Sequence, residues 1–564
     1  MAQSGIHAFL EMLADAGVEY LFGNPGTTEL PLSDALVDHP RIRYILGLQE
    51  VPVMAMADGY AMASRRIGVV NLHISCGLGN AMGMLYNACR EGTPLLVTAG
   101  QQDQRLKFQE PILWGDMVSV ARPWTKCSVE VDRVEALPAA MRLAVQTALA
   151  PPTGPVFLAL PLDVQLADAT GLDLAPAGSL DTRVRPPLAA IRAAAEALAA
   201  ARNPAILVGS RVQEADAVAE LVAVAERLGA PVFSEPGHSH GRLAFPADNP
   251  LYAQTIPLWA PEIAERLSEF DVLLVAGTDL LREYVRHGDA PAIPRSTRLI
   301  HLDDSQREIG KNYVVEVGVL GDAKCGLAEL AEQLDEQMSA QQRRQAEERG
   351  EARRARHREI QTKLRETIAR RRDDRPMPGG VLMESLSRIL PADVAVVEEA
   401  VTTTNSTFQR LGALRNTDGY FGHRGWALGW GLGCATGVQL AWPDRPVLAM
   451  LGEGAAMYGI QGLWSAARYG LPVTYVICNN AQYQILKAGA AGFGLPAASS
   501  GKFVGMDLTG PEIDMVALAT ALGVRAERVS EPEELADKVA QSLAASDGPR
   551  LFDVPIERSL SGPG

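Results

Sequence analysis

Pro446-Val447-Leu448-Ala449-Met450-Leu451-Gly452-Glu453-Gly454, with Val473-Thr474-Tyr475-Val476-Ile477-Cys478-Asn479-Asn480 further on, is the stretch that decides the fold. Each half opens on a short apolar run of the kind a doubly covered strand needs. Between them Ile460, Leu463 and Trp464, with the small Ala466 and Ala467, follow helical spacing. The stretch therefore reads as one β-α-β unit of a parallel sheet. In such a unit both strand ends reach the same sheet edge, which is where open α/β sheets bind ligands. One carboxylate and one amide meet there beside a helix N-terminus. Oxygen donors of this kind suit Mg²⁺, and free backbone N–H groups suit phosphate. An ordinary turn acid followed by a turn Asn-Asn is the structural alternative.

The same alternation extends outward. Toward the N-terminus, Val18–Gly23, Ile42–Leu46, Val69–Ile74 and Pro94–Ala99 read as strands, with helical patterns between them. Ala205–Gly209, Pro231–Phe233, Val272–Gly277 and Leu299–Leu302 form a second set, and Val394–Val397 opens a third. We expect an α/β protein of three doubly wound parallel-sheet domains, at 1–180, 181–340 and 377–564. Residues 341–376, rich in Arg, Gln and Glu, form an exposed charged helix or linker between the last two.

The length of 564 residues suits about three to four domains. Net charge is −15, which disfavours nucleic acid or an anionic membrane as partner. Six scattered cysteines without a C-x-x-C pair indicate neither a zinc site nor a disulfide framework. Reduced thiols and the absence of a basic, apolar leader point to the cytoplasm. Gly77-x-Gly79 lacks the partner acid of a dinucleotide fingerprint, which disfavours an oxidoreductase.

Gly452-Glu453-Gly454 ending in Asn479-Asn480 resembles the cofactor signature of thiamine-diphosphate enzymes. Asn24-Pro25-Gly26-Thr27-Thr28-Glu29, Leu48-Gln49-Glu50, Ala57-Asp58-Gly59-Tyr60-Ala61 and Gly77-Leu78-Gly79-Asn80 resemble their pyrimidine domain. The likeness is greatest to the benzoylformate decarboxylase branch of the 2-oxo acid decarboxylase and acetolactate synthase superfamily. It implies thiamine diphosphate and Mg²⁺ as cofactors, with Glu453, Asn480 and the Gln482 carbonyl holding the metal. Glu453 stands where the family usually has Asp. The extra methylene adds about 1.5 Å of reach, against the strict octahedral geometry of Mg²⁺.

By the same resemblance Glu50 bonds N1′ of the aminopyrimidine, although a helix-start acid is the plainer reading of that position. His73 becomes a pocket proton donor and acceptor rather than a core histidine, and Thr27 a substrate-binding hydroxyl. Thr402, Gly452, Gly454, Ala455, Tyr458, Tyr483 and Ile485 surround the diphosphate. Leu428 wedges the cofactor into a bent shape instead of serving as plain core, and the Trp426 carbonyl accepts from its amino group. Leu113, Trp114 and Leu486 line the substrate pocket. The resemblance weakens in the middle domain, where Tyr284 takes the place of a second pocket histidine; His238, His240 and His287 are unmatched.

The implied activity is non-oxidative decarboxylation of a small-molecule 2-oxo acid to an aldehyde by a carboxy-lyase. A carboligase forming 2-hydroxy ketones is the first alternative, and a catalytically silent diphosphate-binding scaffold the second. The family builds its site between subunits, which implies a homodimer or homotetramer.

Overall fold

The computed structural model describes residues 3–176, 178, 181–235, 241–283 and 291–558. Tyr284, His287, His238 and His240 lie outside the described residues. The chain builds three parallel six-stranded sheets. The first contains β1 (Tyr20–Gly23), β2 (Arg43–Leu46), β3 (Gly68–Leu72), β4 (Leu95–Gln101), β5 (Ser128–Glu130) and β6 (Val156–Pro161). Its spatial order is β2-β1-β3-β4-β6-β5. The second holds β7 (Pro204–Val208), β8 (Val232–Ser234), β9 (Tyr252–Thr255), β10 (Val272–Ala276), β11 (Arg298–Asp303) and β12 (Val317–Leu320). Its order is β12-β11-β10-β7-β8-β9.

The third sheet consists of β13 (Ala395–Glu399), β14 (Tyr420–Phe421), β15 (Val447–Gly452), β16 (Val473–Asn479), β17 (Arg525–Arg528) and β18 (Arg550–Pro555). Its order, β14-β13-β15-β16-β18-β17, repeats that of the first sheet strand for strand. The central strands β3, β4, β6 and β16 are buried along their whole length, so both faces are covered by helices. The Arg/Glu-rich stretch forms a single helix, Ala340–Ala369, that buries only Ala346, Gly350, Leu364 and Ile368.

Ligands of such sheets bind outside the carboxyl ends of the strands, at a point where the strand order reverses. In the first sheet one such reversal lies between β1 and β3, and in the third between β13 and β15. The first and third sheets meet through the helices Glu50–Ser64 and Trp430–Ala441. Their contact is close because Gly59, Gly433 and Gly437 leave no room for a Cβ; at Gly437 it would lie 1.9 Å from the Met56 carbonyl oxygen. No described helix is long and apolar enough to cross a membrane.

Candidate active site

The first reversal point collects Glu29, Glu50 and His73. The sequence pattern carried β3 through Ile74, but the strand ends at Leu72 and His73 caps the helix Ile74–Glu91. Ile74 sits at φ 42, a conformation costly for a β-branched residue. That turn swings the His73 ring out of the sheet, where it is partly exposed. Nδ1 lies 2.7 Å from Glu29 Oε2. Glu29 is itself buried and accepts from the Thr28 hydroxyl and the Gly100 N–H, both at 2.8 Å. A carboxylate fixed in this way orients the ring and leaves Nε2 for a ligand. Gly26 is required for the approach, since a Cβ there would fall 1.9 Å from His73 Nδ1. The adjacent Thr27 is exposed at the start of a 3₁₀ turn.

Glu50 is the first residue of the helix Glu50–Ser64, after the Gln49 cap, and is 6% exposed. Its Oε2 accepts from Asn80 Nδ2 at 3.0 Å. Gly77 makes space for the carboxylate: a Cβ there would lie 3.2 Å from Oε1. Leu113 and Trp114 stand on the 103–116 loop, part-exposed, with Leu113 at φ 70.

The second centre lies at the carboxyl ends of β13, β15 and β16. Gly452 closes β15, and Glu453 begins the short helix Glu453–Ala456. Glu453 is buried, and its carboxylate accepts from the backbone N–H of Gln482 (3.1 Å) and, at longer range, Asn480 (3.4 Å). Asn480 Oδ1 also accepts from the Gln482 N–H, and Asn480 Nδ2 donates to Gln484 Oε1. Ala481, between them, holds φ 49. A Cβ on Gly454 would come within 2.8 Å of the Tyr483 ring, so this glycine lets the ring close over the turn. Ala455 is buried beside it, and Tyr458 is exposed. Ile485 and Leu486 begin the helix Gln484–Gly492.

Burial pushes the Glu453 carboxyl up to about 7, against the pull of the backbone N–H groups. A buried acid with no neighbouring cation, an amide oxygen and a backbone carbonyl form an oxygen donor set that fits Mg²⁺. Gln482 Nε2 is a buried donor with no hydrogen-bond partner among the described residues, which suits a phosphate oxygen. Among the described residues no cluster of three or more His, Cys, Asp or Glu could hold a metal, consistent with a mixed acid–amide–carbonyl set. If Glu453 ligates Mg²⁺, binding displaces the proton it carries below that value. We expect Mg²⁺ affinity to rise about tenfold per pH unit up to pH ~7 and then level off. Titrations at pH 5.5, 6.5, 7.5 and 8.5 check this. Without metal the sign reverses: the raised carboxyl stabilises the fold at low pH, and this is lost as pH rises through 7.

Thr402 sits half-buried in the turn after β13. Trp426 and Leu428 lie in a loop that ends where the helix Trp430–Ala441 begins. Trp426 has φ 64, and its N–H donates to His423 Nδ1. Asn87 bonds both the N–H and the carbonyl of Ala427. Arg424 reaches Glu235 and Asp279 of the second sheet. Glu399 accepts from the backbone N–H groups of Gly429, Trp430 and Gly431. Leu428 is half-buried and does not belong to the closed core. Glu399→Ala should cost about 2–3 kcal/mol of stability by stripping that helix end of its acceptors; denaturant unfolding measures it.

Pattern reading passed over Glu29, Asn80, Lys487 and Asp507. Lys487 is buried, donates to Gln482 Oε1 at 2.9 Å and pairs with Asp507 at 2.5 Å, fixing the Gln482 side chain. Only the unusual burial of a lysine marks it, and that is a property of the fold.

The chain is similar to known proteins over its full length. The thiamine pyrophosphate enzyme N-terminal TPP binding domain matches residues 3–112, the central domain 191–330 and the C-terminal TPP binding domain 401–554. Benzoylformate decarboxylase of Pseudomonas aeruginosa is 33% identical, with 98% of each chain covered. The acetolactate synthase large subunit of Parasynechococcus marenigrum is 28% identical, with 98% of this chain and 88% of that one covered. A solved structure, the thiamine diphosphate-dependent 4-hydroxybenzoylformate decarboxylase of Rhodococcus jostii RHA1, superposes with a TM-score of 0.85. It is 30% identical, with 99% of this chain and all of that chain covered. The cofactor of such domains is thiamine diphosphate, typically with Mg²⁺. With both cofactor-binding domains and the central domain present in one chain, the protein belongs to the thiamine-diphosphate-dependent enzymes, related to benzoylformate decarboxylase and to carboligases of the acetolactate synthase kind.

Proposed function

We infer that the enzyme decarboxylates a 2-oxo acid, taking up one proton and releasing an aldehyde and CO₂. The observation that carries this reading is the His73–Glu29 pair at the first reversal point, 2.7 Å apart. It is a proton donor and acceptor with a fixed ring, placed where an aldehyde-releasing site needs one.

Glu453, Asn480 and the Gln482 carbonyl hold Mg²⁺, and Gln482 Nε2 and Thr402 face the diphosphate. Leu428 and the Trp426 carbonyl set the shape of the bound cofactor. Glu50, steadied by Asn80, would hold a proton toward the pyrimidine ring nitrogen of the bound cofactor. His73 Nε2 delivers a proton on the substrate side, with Thr27, Leu113, Trp114 and Leu486 around it. Thiamine diphosphate, when bound, supplies the electron sink that lets CO₂ leave.

Glu50 and Glu453 belong to separate clusters on separate sheets, with different hydrogen-bond partners. Exposed Phe108 and Ile112 on the first cluster's loop suit burial against a second copy. This supports a homodimer whose sites take Glu50 from one protomer and Glu453 from its partner, or a tetramer of such pairs. Localisation in the cytoplasm is in keeping with six free thiols.

Whole-length likeness to acetolactate synthase favours carboligation as the second reading. Product analysis separates the two. The enzyme with Mg²⁺, thiamine diphosphate and a panel of 2-oxo acids should yield aldehyde as the main product. A 2-hydroxy ketone in place of aldehyde would make it a carboligase, and no consumption with the cofactor bound would leave a silent scaffold.

A further inference from the structure

Beside its polar groups the candidate site opens into a cleft of about 720 Å³, within the range that holds sizeable organic ligands. Thr402, Trp426 and Ile485 are among its lining residues, which joins the cleft to the proposed cofactor-binding residues. The helix Gln484–Gly492 forms one wall. Along it Ile485, Gly489 and Gly492 recur at four and then three residues, so they share a face. At 1.5 Å per residue this face runs roughly 10 Å from Ile485. A Cβ at Gly489 or Gly492 would meet nothing within 4 Å, so the space beside them is empty because the side chains are missing. Trp259, from the second sheet's domain, also lines the cleft and packs edge-on against Phe493 with ring centroids 6.4 Å apart. No Lys, Arg or His is found among the described residues lining the cleft, and its one charged residue is Glu262.

We propose that this cleft takes the side chain of the 2-oxo acid, and that this side chain is an extended apolar group longer than a ring bonded directly to the keto carbon. The proposal rests on the decarboxylation reading above. Each additional methylene buried against Ile485, Leu486 and Phe493 strengthens binding. A second carboxylate in the cleft would meet Glu262 and no cation among the described lining residues, so dicarboxylic 2-oxo acids are disfavoured.

The test compares pyruvate, benzoylformate, 4-phenyl-2-oxobutanoate and 2-oxoglutarate as substrates of the holoenzyme and of Gly489→Phe. The wild type should favour 4-phenyl-2-oxobutanoate over benzoylformate by about tenfold or more in kcat/KM, since the two differ by two methylenes and each one in an apolar pocket is worth about tenfold. In Gly489→Phe the ratio of kcat/KM for 4-phenyl-2-oxobutanoate to that for pyruvate should fall by about thirtyfold or more, chiefly through KM. Thermal unfolding and thiamine diphosphate affinity establish that the variant is folded; Gly492→Leu serves if it is not. A wild type that prefers benzoylformate, pyruvate or 2-oxoglutarate overturns the proposal, as does an unchanged ratio in a folded variant. Both results leave decarboxylation standing. If none of the four acids is consumed, the decarboxylation reading itself falls and takes this one with it.

Discussion

Glu50→Gln should lower kcat by about a thousandfold, the scale on which a positioned proton-transfer group contributes. The amide keeps the size of the carboxyl and can still meet Asn80, whose Nδ2 lies 3.0 Å from Oε2 in the native chain. What it loses is the ability to exchange a proton with the pyrimidine ring. Thermal stability and Mg²⁺-dependent cofactor binding should therefore stay within about threefold of wild type, and single-turnover rates should carry the whole loss. A variant that turns over at native speed removes Glu50 from the chemistry. One that fails to bind cofactor would make it a binding group instead.

The second large effect is expected at Glu453. Glu453→Ala removes the only acid of the proposed metal site and should weaken Mg²⁺-dependent thiamine diphosphate binding about a hundredfold or more. Glu453→Asp restores the residue usual in the family, and Mg²⁺ binding should be kept or tightened. Calorimetric titration of both variants with metal and cofactor decides the point. Should Asp lose binding as Ala does, the strand end is built around the longer acid. The structure already hints at how Glu is accommodated: its carboxylate folds back onto the N–H groups of Gln482 and Asn480.

Those strand ends were readable because buried parallel strands are continuous apolar runs. Pro446–Leu451 and Val473–Cys478 fall within a residue of β15 and β16. The same rule misplaced His73, because Ile74 prolongs the apolar run while its left-handed backbone ends the pairing. The edge strands β5, β9, β12 and β17 escaped because they are short and bury few side chains. The loop at Trp426 was not legible because its restraints are distant in sequence. Asn87 lies 340 residues from Ala427, and Glu399 lies 30 from Gly429. Glu29 and Lys487 were unreadable as site groups for a related reason. A charged residue earns notice by being buried against a partner, and burial is settled only when the sheets assemble.

The segment from His423 to Gly429 is anchored to Asn87, to Glu235 and Asp279, and to Glu399, one moor in each of the three layers. Loosening the central layer at Glu235 or Asp279 is therefore expected to slacken the segment proposed to seat the coenzyme. The expected result is holoenzyme that loses its vitamin faster on standing, while each molecule still loaded keeps its turnover.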